Sequence, residues 1–470
     1  MNALRPWRYF ILLGGIIVAG CAVGPDYQRP ATALPAQYNE SASATEQDTV
    51  AVTRDWWKLF NDATLNELME KALQNNADVQ LAVARMEEAD AALRATGAAL
   101  FPEIDLGASG TRSRSSVLAA TPLPPGTPVI RKNIRATVGT AFELDFWGKL
   151  RRASEAARAQ VLASRYAKDT VELTLAGLIV QSYLSLRALD AQIILSRNTL
   201  SNRQAALTLT QHRADGGIAS ELDVQLAEGA RAVIAAQIID LEQQRALAQH
   251  QLAFLSGSFD LKVSENDLRQ LPVPPLPPPG LPSSLLESRP DVRQAEAQLI
   301  AANAKIGVAK AAYFPSISLT GNYGGESKAL SDLFKPGAKI WSTGIGLNLP
   351  IFDAGRISAQ VDQARAQQKQ AIASYQRSLQ NAFKDVNDAL VTVRQTTAGE
   401  VELEARQRAA EKALALSEIR YKAGYSAYLE VLDAQRTLNE ASLALVRNRQ
   451  ARLSATVDLF KAIGGGWSDI

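Results

Sequence analysis

A short acidic and basic series near the carboxyl end is the part of this sequence that most resembles a chemical site. Within "YSAYLEVLDAQR", the residues Glu430, Asp433 and Arg436 follow one another at intervals of three. Side chains at this spacing lie on neighbouring faces of a helix, so the three can project together. Such a group can bind cations, form ion pairs or line an opening with charge, as rings of acidic residues do in pores.

Catalysis is a poorer interpretation of these residues. The chain of 470 residues has two histidines, His212 and His250, and one cysteine, Cys21. The chain therefore has too few of these residues for histidine-based acid–base catalysis or a Cys/His metal site, and a single cysteine cannot form an intrachain disulfide. A net charge of +2 leaves no basic field for nucleic acid. We expect no enzymatic activity, no metal and no non-covalent cofactor.

A structural interpretation of the charged series stays open at this point. The earlier segment "IASELDVQLAEG" has a similar frame, and its Ser220 and Asp223 match a capping box, which starts a helix. Glu430 lies where the helix dipole favours an acid. Asp433 and Arg436 also suit an ordinary surface pair.

The two segments resemble each other because most of the chain consists of two similar sequence repeats. The stretch from Ala77 aligns to that from Pro290 with an offset of 213, and the stretch from Arg213 aligns to that from Arg420 with an offset of 207. Each copy is predicted to contain a helix, a Phe-Pro stop, two strands, a very long helix, a glycine turn and a further long helix. The first long helix, over Arg151–Gln211, would reach roughly 90 Å.

The predicted strands have one apolar and one polar face. In "IRATVGTAFELDF" and "KIWSTGIGLNLPIF" the apolar residues alternate with small or polar ones. A soluble sandwich would bury the apolar face, whereas a membrane barrel would turn it to lipid. Four strands are too few to close a barrel, since known barrels begin at about eight, but three copies would supply enough.

The amino terminus looks like an export signal that ends in a lipidation site. A basic start and an apolar run too short to span a bilayer precede "VAGC", which looks like a bacterial lipobox. In such signals the cysteine, here Cys21, is acylated and becomes the first residue of the mature protein. Ala22, rather than Asp, would permit sorting to the outer membrane. The alternative is an ordinary signal peptide followed by a chance cysteine.

Taken together, these segments resemble the outer-membrane factor family of tripartite efflux systems, of the TolC/OprM/NodT type. The resemblance is carried by "GPDYQRP", "DWWKLFND", "LFPEI", "YFPSI", "LPIFDAGR", "YLEVLDAQR" and "LFKAIGGGW". It implies a mixed α/β membrane protein, a homotrimer with a twelve-stranded β-barrel, four strands from each chain, continued by a twelve-helix periplasmic tunnel with an equatorial domain.

The function implied by the resemblance is that of a passive duct in the bacterial outer membrane. It would carry substrates from an inner-membrane RND-type pump, to which a periplasmic adaptor (membrane fusion) protein links it. The sequence does not indicate whether the cargo is a drug, a dye, a metal ion or an aromatic compound. The alternative is a trimeric coiled-coil structural or adhesive lipoprotein without a pore.

The resemblance also assigns a periplasmic gate and an adaptor-facing tip. Family members close the tunnel through a tyrosine, acids of the second hairpin and an aspartate of the first. Where one branch has an arginine that bonds this aspartate, the chain has Ser426, so Arg436 is expected to serve instead or the closure differs. The matching gate residues are Asp223, Tyr421, Leu429, Glu430, Asp433 and Arg436, and the adaptor-facing turns contain Gly216, Gly217 and Gly424.

The predicted organisation follows from the repeat and from the Pro-rich segment between the copies. The segments are a signal peptide (1–20), a lipidated strap (21–60), a first repeat (61–257) with strands at about 103–115 and 132–146, a linker and equatorial segment (258–284), a second repeat (285–464) with strands at about 316–324 and 339–352, and a tail (465–470).

Overall fold

The computed structural model describes residues 22–31, 35, 38, 53–121, 123–276 and 288–466. The predicted signal peptide and Cys21 lie outside the described residues. The helices are α1 (Ala63–Asn75), α2 (Ala77–Ala98), α3 (Lys149–Asp215), α4 (Glu221–Leu255), α5 (Pro290–Ala311), α6 (Arg356–Lys422) and α7 (Tyr428–Ala462), and the strands are β1 (Glu103–Arg114), β2 (Ile130–Leu144), β3 (Ser316–Ser327) and β4 (Lys339–Asn348).

The lengths of these elements repeat along the chain. Helices α2 and α5 each have 22 residues, α3 and α6 each have 67, and α4 and α7 each have 35. Strand β2 ends at Leu144 because Asp145 accepts hydrogen bonds from two N–H groups at the start of α3. Strand β4 ends at Asn348, ahead of Pro350, which cannot donate to a ladder. The mixed α/β fold predicted from the duplicated sequence is confirmed.

One compact unit contains the sheet. Among the described residues it comprises 22–31, Met86–Ser164 and Ala295–Tyr375, and its four antiparallel strands lie in the order β1-β2-β3-β4. The register places apolar side chains on one face, as in the cross-strand row of Leu106, Val138, Tyr323 and Trp341. The other face is polar, and there Arg135 lies 3.3 Å from Glu326. The predicted alternation is thus continuous across the whole sheet.

Residues 22–31, the described start of the predicted strap and called the strap from here on, are bound to α5 within the same unit. Tyr27 and Arg29 both donate hydrogen bonds to the carboxylate of Glu296, at 2.9 and 2.7 Å. The backbones also approach closely, since a Cβ on Gly24 would lie 2.6 Å from the Cα of Gly307. The "GPDYQRP" motif therefore uses Gly24, Tyr27 and Arg29 to dock on the second repeat, whereas its Asp26 pairs with Arg152 of α3 at 2.6 Å.

The second unit comprises Thr32–Arg85, Arg165–Gln294 and Gln376–Ile470 and has an aromatic core. Trp56 and Phe60, from "DWWKLFND", are fully buried, and Trp56 stacks on Phe460 with ring centroids 5.4 Å apart. Within the described residues, one helix, α3, has a stretch apolar enough to cross a bilayer, but 61% of that stretch is buried inside the protein. That stretch is therefore a core helix.

Candidate functional site

The candidate site lies in the second unit, where two helix hairpins reverse direction. Helix α3 turns into α4 at Gly216 and Gly217, and α6 turns into α7 at Gly424. Gly217 and Gly424 have φ angles of 74° and 79°, which favour glycine. In both turns the N–H after the glycine donates to the carbonyl five residues earlier, at 2.8 and 2.9 Å. The two backbones therefore close the same Schellman-type motif.

The first turn is fixed by a capping box. The N–H of Asp223 donates to the Ser220 hydroxyl at 3.2 Å, and the N–H of Ser220 donates to the Asp223 carboxylate at 3.1 Å. These bonds satisfy donors that a helix start leaves free. The structural interpretation of this pair is confirmed, and the carboxylate of Asp223 is engaged within its own hairpin.

The second turn lacks such a cap. Ala427 is the N-cap residue of α7 and offers no side-chain hydrogen bond. Glu430 instead accepts a hydrogen bond from Arg420 across the turn, at 3.0 Å. The buried hydroxyl of Ser426 has no hydrogen-bond partner in the described part of the chain. The predicted gate residue Glu430 is thus held by a cation of its own hairpin.

The charged series itself forms a ladder on the outside of α7. Arg436 donates to Asp433 at 2.7 Å and to Glu440 at 2.8 Å. The hydrogen bond to Asp433 raises the pKa of Arg436 above its ordinary value. The structure brings Asp433 and Arg436 together as the spacing predicted, and these bonds stay within one helix. Over the described ranges, no group of His, Cys, Asp and Glu side chains is arranged to hold a metal ion.

A small apolar cluster joins the two hairpins beneath the turns. It contains Leu207 of α3, Val224 and Ala227 of α4, and Tyr428 and Val431 of α7. The predicted gate residue Tyr421 packs on Tyr428, with ring centroids 5.3 Å apart. Burial raises the pKa of the Tyr428 phenol. The hairpins of a single chain therefore contact each other through side chains at the tip.

Two arginines of α3 add polar contacts that the sequence did not predict. The guanidinium of Arg213 lies 4.7 Å from the ring centroid of Tyr421, a cation–π distance. Arg203 donates from Nη1 to the side-chain oxygen of Gln435 on α7. Arg203 is only 6% exposed, and burial lowers its pKa. Arg213 could have been found, because it aligns with Arg420 in the repeat, but no sequence pattern pointed to Arg203.

Two grooves flank α7 at this level. The larger, of about 1080 Å³, is lined by the ladder of Asp433, Arg436 and Glu440. The smaller, of about 420 Å³, lies beside Tyr421. Arg203 lines both grooves, so its guanidinium lies at the boundary between the two.

The turns also expose large apolar side chains. Ile218, Leu222, Tyr425 and Leu429 are 71, 66, 80 and 62% exposed. Apolar groups gathered in this way on a polar protein are typical of a surface that contacts another protein. Leu429, which the family resemblance assigned to the gate, is thus largely exposed in the described chain.

The sequence profile of outer membrane efflux proteins matches residues 68–258 and 281–465. The chain belongs to this family, and it is the outer-membrane channel component of an efflux system. The two matched segments correspond to the two copies of the repeat.

Particular relatives agree with this assignment along almost the whole chain. The probable efflux pump outer membrane protein TtgC of Pseudomonas putida is 36% identical over 464 residues, covering 96% of this chain and 94% of the relative. The crystal structure of CusC matches with a TM-score of 0.86 and 32% identity, covering 95% of this chain and 100% of that one. The Campylobacter jejuni outer membrane channel CmeC matches with a TM-score of 0.88 and 26% identity, covering 96% of each chain. These relatives are outer-membrane channels and efflux components.

Proposed function

We propose that three copies of this chain form a passive duct through the outer membrane and periplasm. The open sheet carries this proposal. Among the described residues no strand pairs with the outer edge of β1 or of β4, and the apolar face of the sheet is exposed, with Trp341 72% and Ile345 74% exposed. Three such sheets supply twelve strands, enough to close a barrel whose apolar face meets lipid and whose polar face surrounds water. A coiled-coil lipoprotein without a pore has no use for this sheet.

The helix hairpins would continue the duct and close it at the periplasmic end. In a trimer the exposed Leu429, Asp433 and Arg436 of each chain would surround one axis. The acids would form rings that favour cations, and the leucines would form an apolar constriction. Asp223, Tyr421 and Glu430 would hold the two turns in shape around that constriction. The proposal is supported by the common location of these residues at or beside the turns.

The partners would meet the duct at its tip and its amino terminus. A periplasmic adaptor would contact the turns at Gly216, Gly217 and Gly424, whose exposed apolar neighbours favour a protein contact. An RND-type pump in the inner membrane would then select the cargo. A lipid on Cys21 would anchor the strap, and labelling with radioactive palmitate tests this: Cys21→Ser should lose the label, and a Cys21→Ser protein that still incorporates it would refute the assignment.

Electrical recording tests the channel function directly. The purified full-length protein should elute as a trimer and give low, closed-state conductance in planar bilayers. Replacing Asp433 and Arg436 together by Ala should raise that conductance, because the charged rings are removed. Arg408→Gln is the matched control, because this exposed arginine of α6 pairs, within the described part of the chain, only with Glu404. A trimer that never conducts in any form would refute the duct. A double variant whose conductance stays as low as that of the wild type would refute the gate assignment but not the duct.

A further inference from the structure

The repeat leaves one arginine without an acid at the tip. Arg213 and Arg420 occupy equivalent positions, and Arg420 is neutralised by Glu430. The equivalent acid in the first hairpin, Asp223, is occupied by its capping box with Ser220. Arg213 has no ion pair in the described chain, and its guanidinium instead faces the ring of Tyr421 in the other hairpin.

The second arginine is buried beside a neutral partner. Arg203 is 6% exposed, its Nε–H lacks a partner in the described ranges, and its Nη1 donates to the amide of Gln435. A buried cation is normally paired with a carboxylate, because desolvation of an unpaired charge is unfavourable. The hydrogen bond from Arg203 of α3 to Gln435 of α7 is therefore weaker than the ion pair that a carboxylate at position 435 would form.

We propose that Arg203 and Arg213 form a clasp that holds the second hairpin against α3 in the closed tip, and that the neutral Gln435 sets its strength. The clasp rests on the proposed gate function and assigns the link between hairpins to these two residues. Arg436 does not provide that link within a chain, because its bonds go to Asp433 and Glu440 of its own helix. A clasp with a neutral acceptor closes the tip and still lets it open.

Opposite changes at position 435 test the clasp. Gln435→Leu leaves Arg203 without its acceptor, so amides of residues 428–436 in the full-length trimer should exchange hydrogen about tenfold faster, and conductance should rise. Gln435→Glu gives Arg203 a carboxylate, so exchange should slow about tenfold and conductance should stay at the closed level. In an Arg203→Met background the protection given by Gln435→Glu should be lost or reversed, because the new carboxylate then has no cation to pair with.

A second set of substitutions tests the cation–π contact between Arg213 and Tyr421. Arg213→Gln should speed exchange of the same amides about two- to fivefold. Tyr421→Leu should do the same, and Tyr421→Phe should have a smaller effect because the ring face is retained. Arg408→Gln, a substitution on α6 several turns before Tyr421, controls for the loss of a surface arginine.

Several outcomes would overturn the clasp. One is that Leu and Glu at position 435 shift exchange in the same direction, or that neither shifts it. Another is that Tyr421→Phe is as disruptive as Tyr421→Leu, which would assign the contact to the hydroxyl. If exchange responds as expected but no variant conducts, the clasp stands and the channel function fails.

Discussion

The two glycine turns of this chain have the same backbone conformation, but their side chains make different hydrogen bonds. Both close the same Schellman-type motif around a glycine. In the first, Ser220 caps α4 and engages Asp223, whereas the second has Ala427 at the equivalent position, so Glu430 is left for Arg420. Where the first turn has the Ser220 hydroxyl, the second has none, and its acid pairs with a cation instead of capping its helix.

The same redistribution explains the contact between hairpins. With Asp223 engaged, the arginine that corresponds to Arg420, namely Arg213, turns to Tyr421. Duplicated hairpins can therefore acquire different roles without any change of backbone. The first hairpin is capped within itself, and its Arg203 and Arg213 contact Gln435 and Tyr421 of the second hairpin.

The largest expected difference between the turns concerns Tyr428 and its counterpart Glu221. Tyr428→Ala should destabilise the tip by about 3–5 kcal/mol, because a buried aromatic side chain leaves a cavity in the apolar cluster. Glu221→Ala removes an exposed side chain and should change local stability little. Limited proteolysis of the full-length trimer at the second turn measures both. Equal cleavage rates in the two variants would show that the cluster does not stabilise the tip.

A smaller effect is expected at the capped turn. Ser220→Ala should destabilise the start of α4 by about 1 kcal/mol, since one helix donor loses its acceptor. It should also free Asp223. Hydrogen exchange of the first amides of α4, compared with those of α7 in the same sample, reports the change. If both helix starts respond alike, the cap is not local to the first hairpin.

The reverse change should make the second turn resemble the first. Ala427→Ser creates a Ser-x-x-Glu sequence with Glu430, the pattern of a capping box. We expect the start of α7 to gain up to about 1 kcal/mol and Arg420 to lose its partner. Slower exchange at α7 is the expected result, and unchanged exchange would mean that Arg420 retains Glu430.

The smallest effect is expected from the surface pair of the second turn. Glu430→Gln removes the ion pair with Arg420, in which both side chains are about half exposed, and should cost about 0.2–1 kcal/mol. High salt should narrow the gap between the wild type and this variant, because salt screens exposed charges. A gap that stays constant in 1 M salt would assign the effect to something other than charge.

Features that repeat or alternate were predictable from the sequence. The long helix expected over Arg151–Gln211 extends over Lys149–Asp215, and the alternating residues fall on single faces of the sheet. The capping box at Ser220 was also visible. Local periodicity shows which side of an element is apolar, and short motifs describe bonds within a few residues.

Contacts between distant segments were not predictable in this way. Arg203 and Gln435 are 232 residues apart, and each lies in an ordinary helical pattern. Their contact depends on how α3 and α7 pack, which the period of either helix does not specify. The missing cap at Ala427, in contrast, could be found by aligning it with Ser220.

The strap has a consequence for the order in which the protein folds. Its partners on α5 lie 267 to 278 residues further along the chain, at Glu296 and Asn303. During synthesis the strap can first reach Trp147 and Arg152 of the first repeat, whereas its partners on α5 exist only once the start of the second repeat has been made. Closing so long a loop is entropically unfavourable and slow, and contacts of this range form late. The strap thus completes its native contacts only after the Pro-rich linker has been synthesised, and a chain cut at that linker would lack the part of the docking surface that α5 supplies.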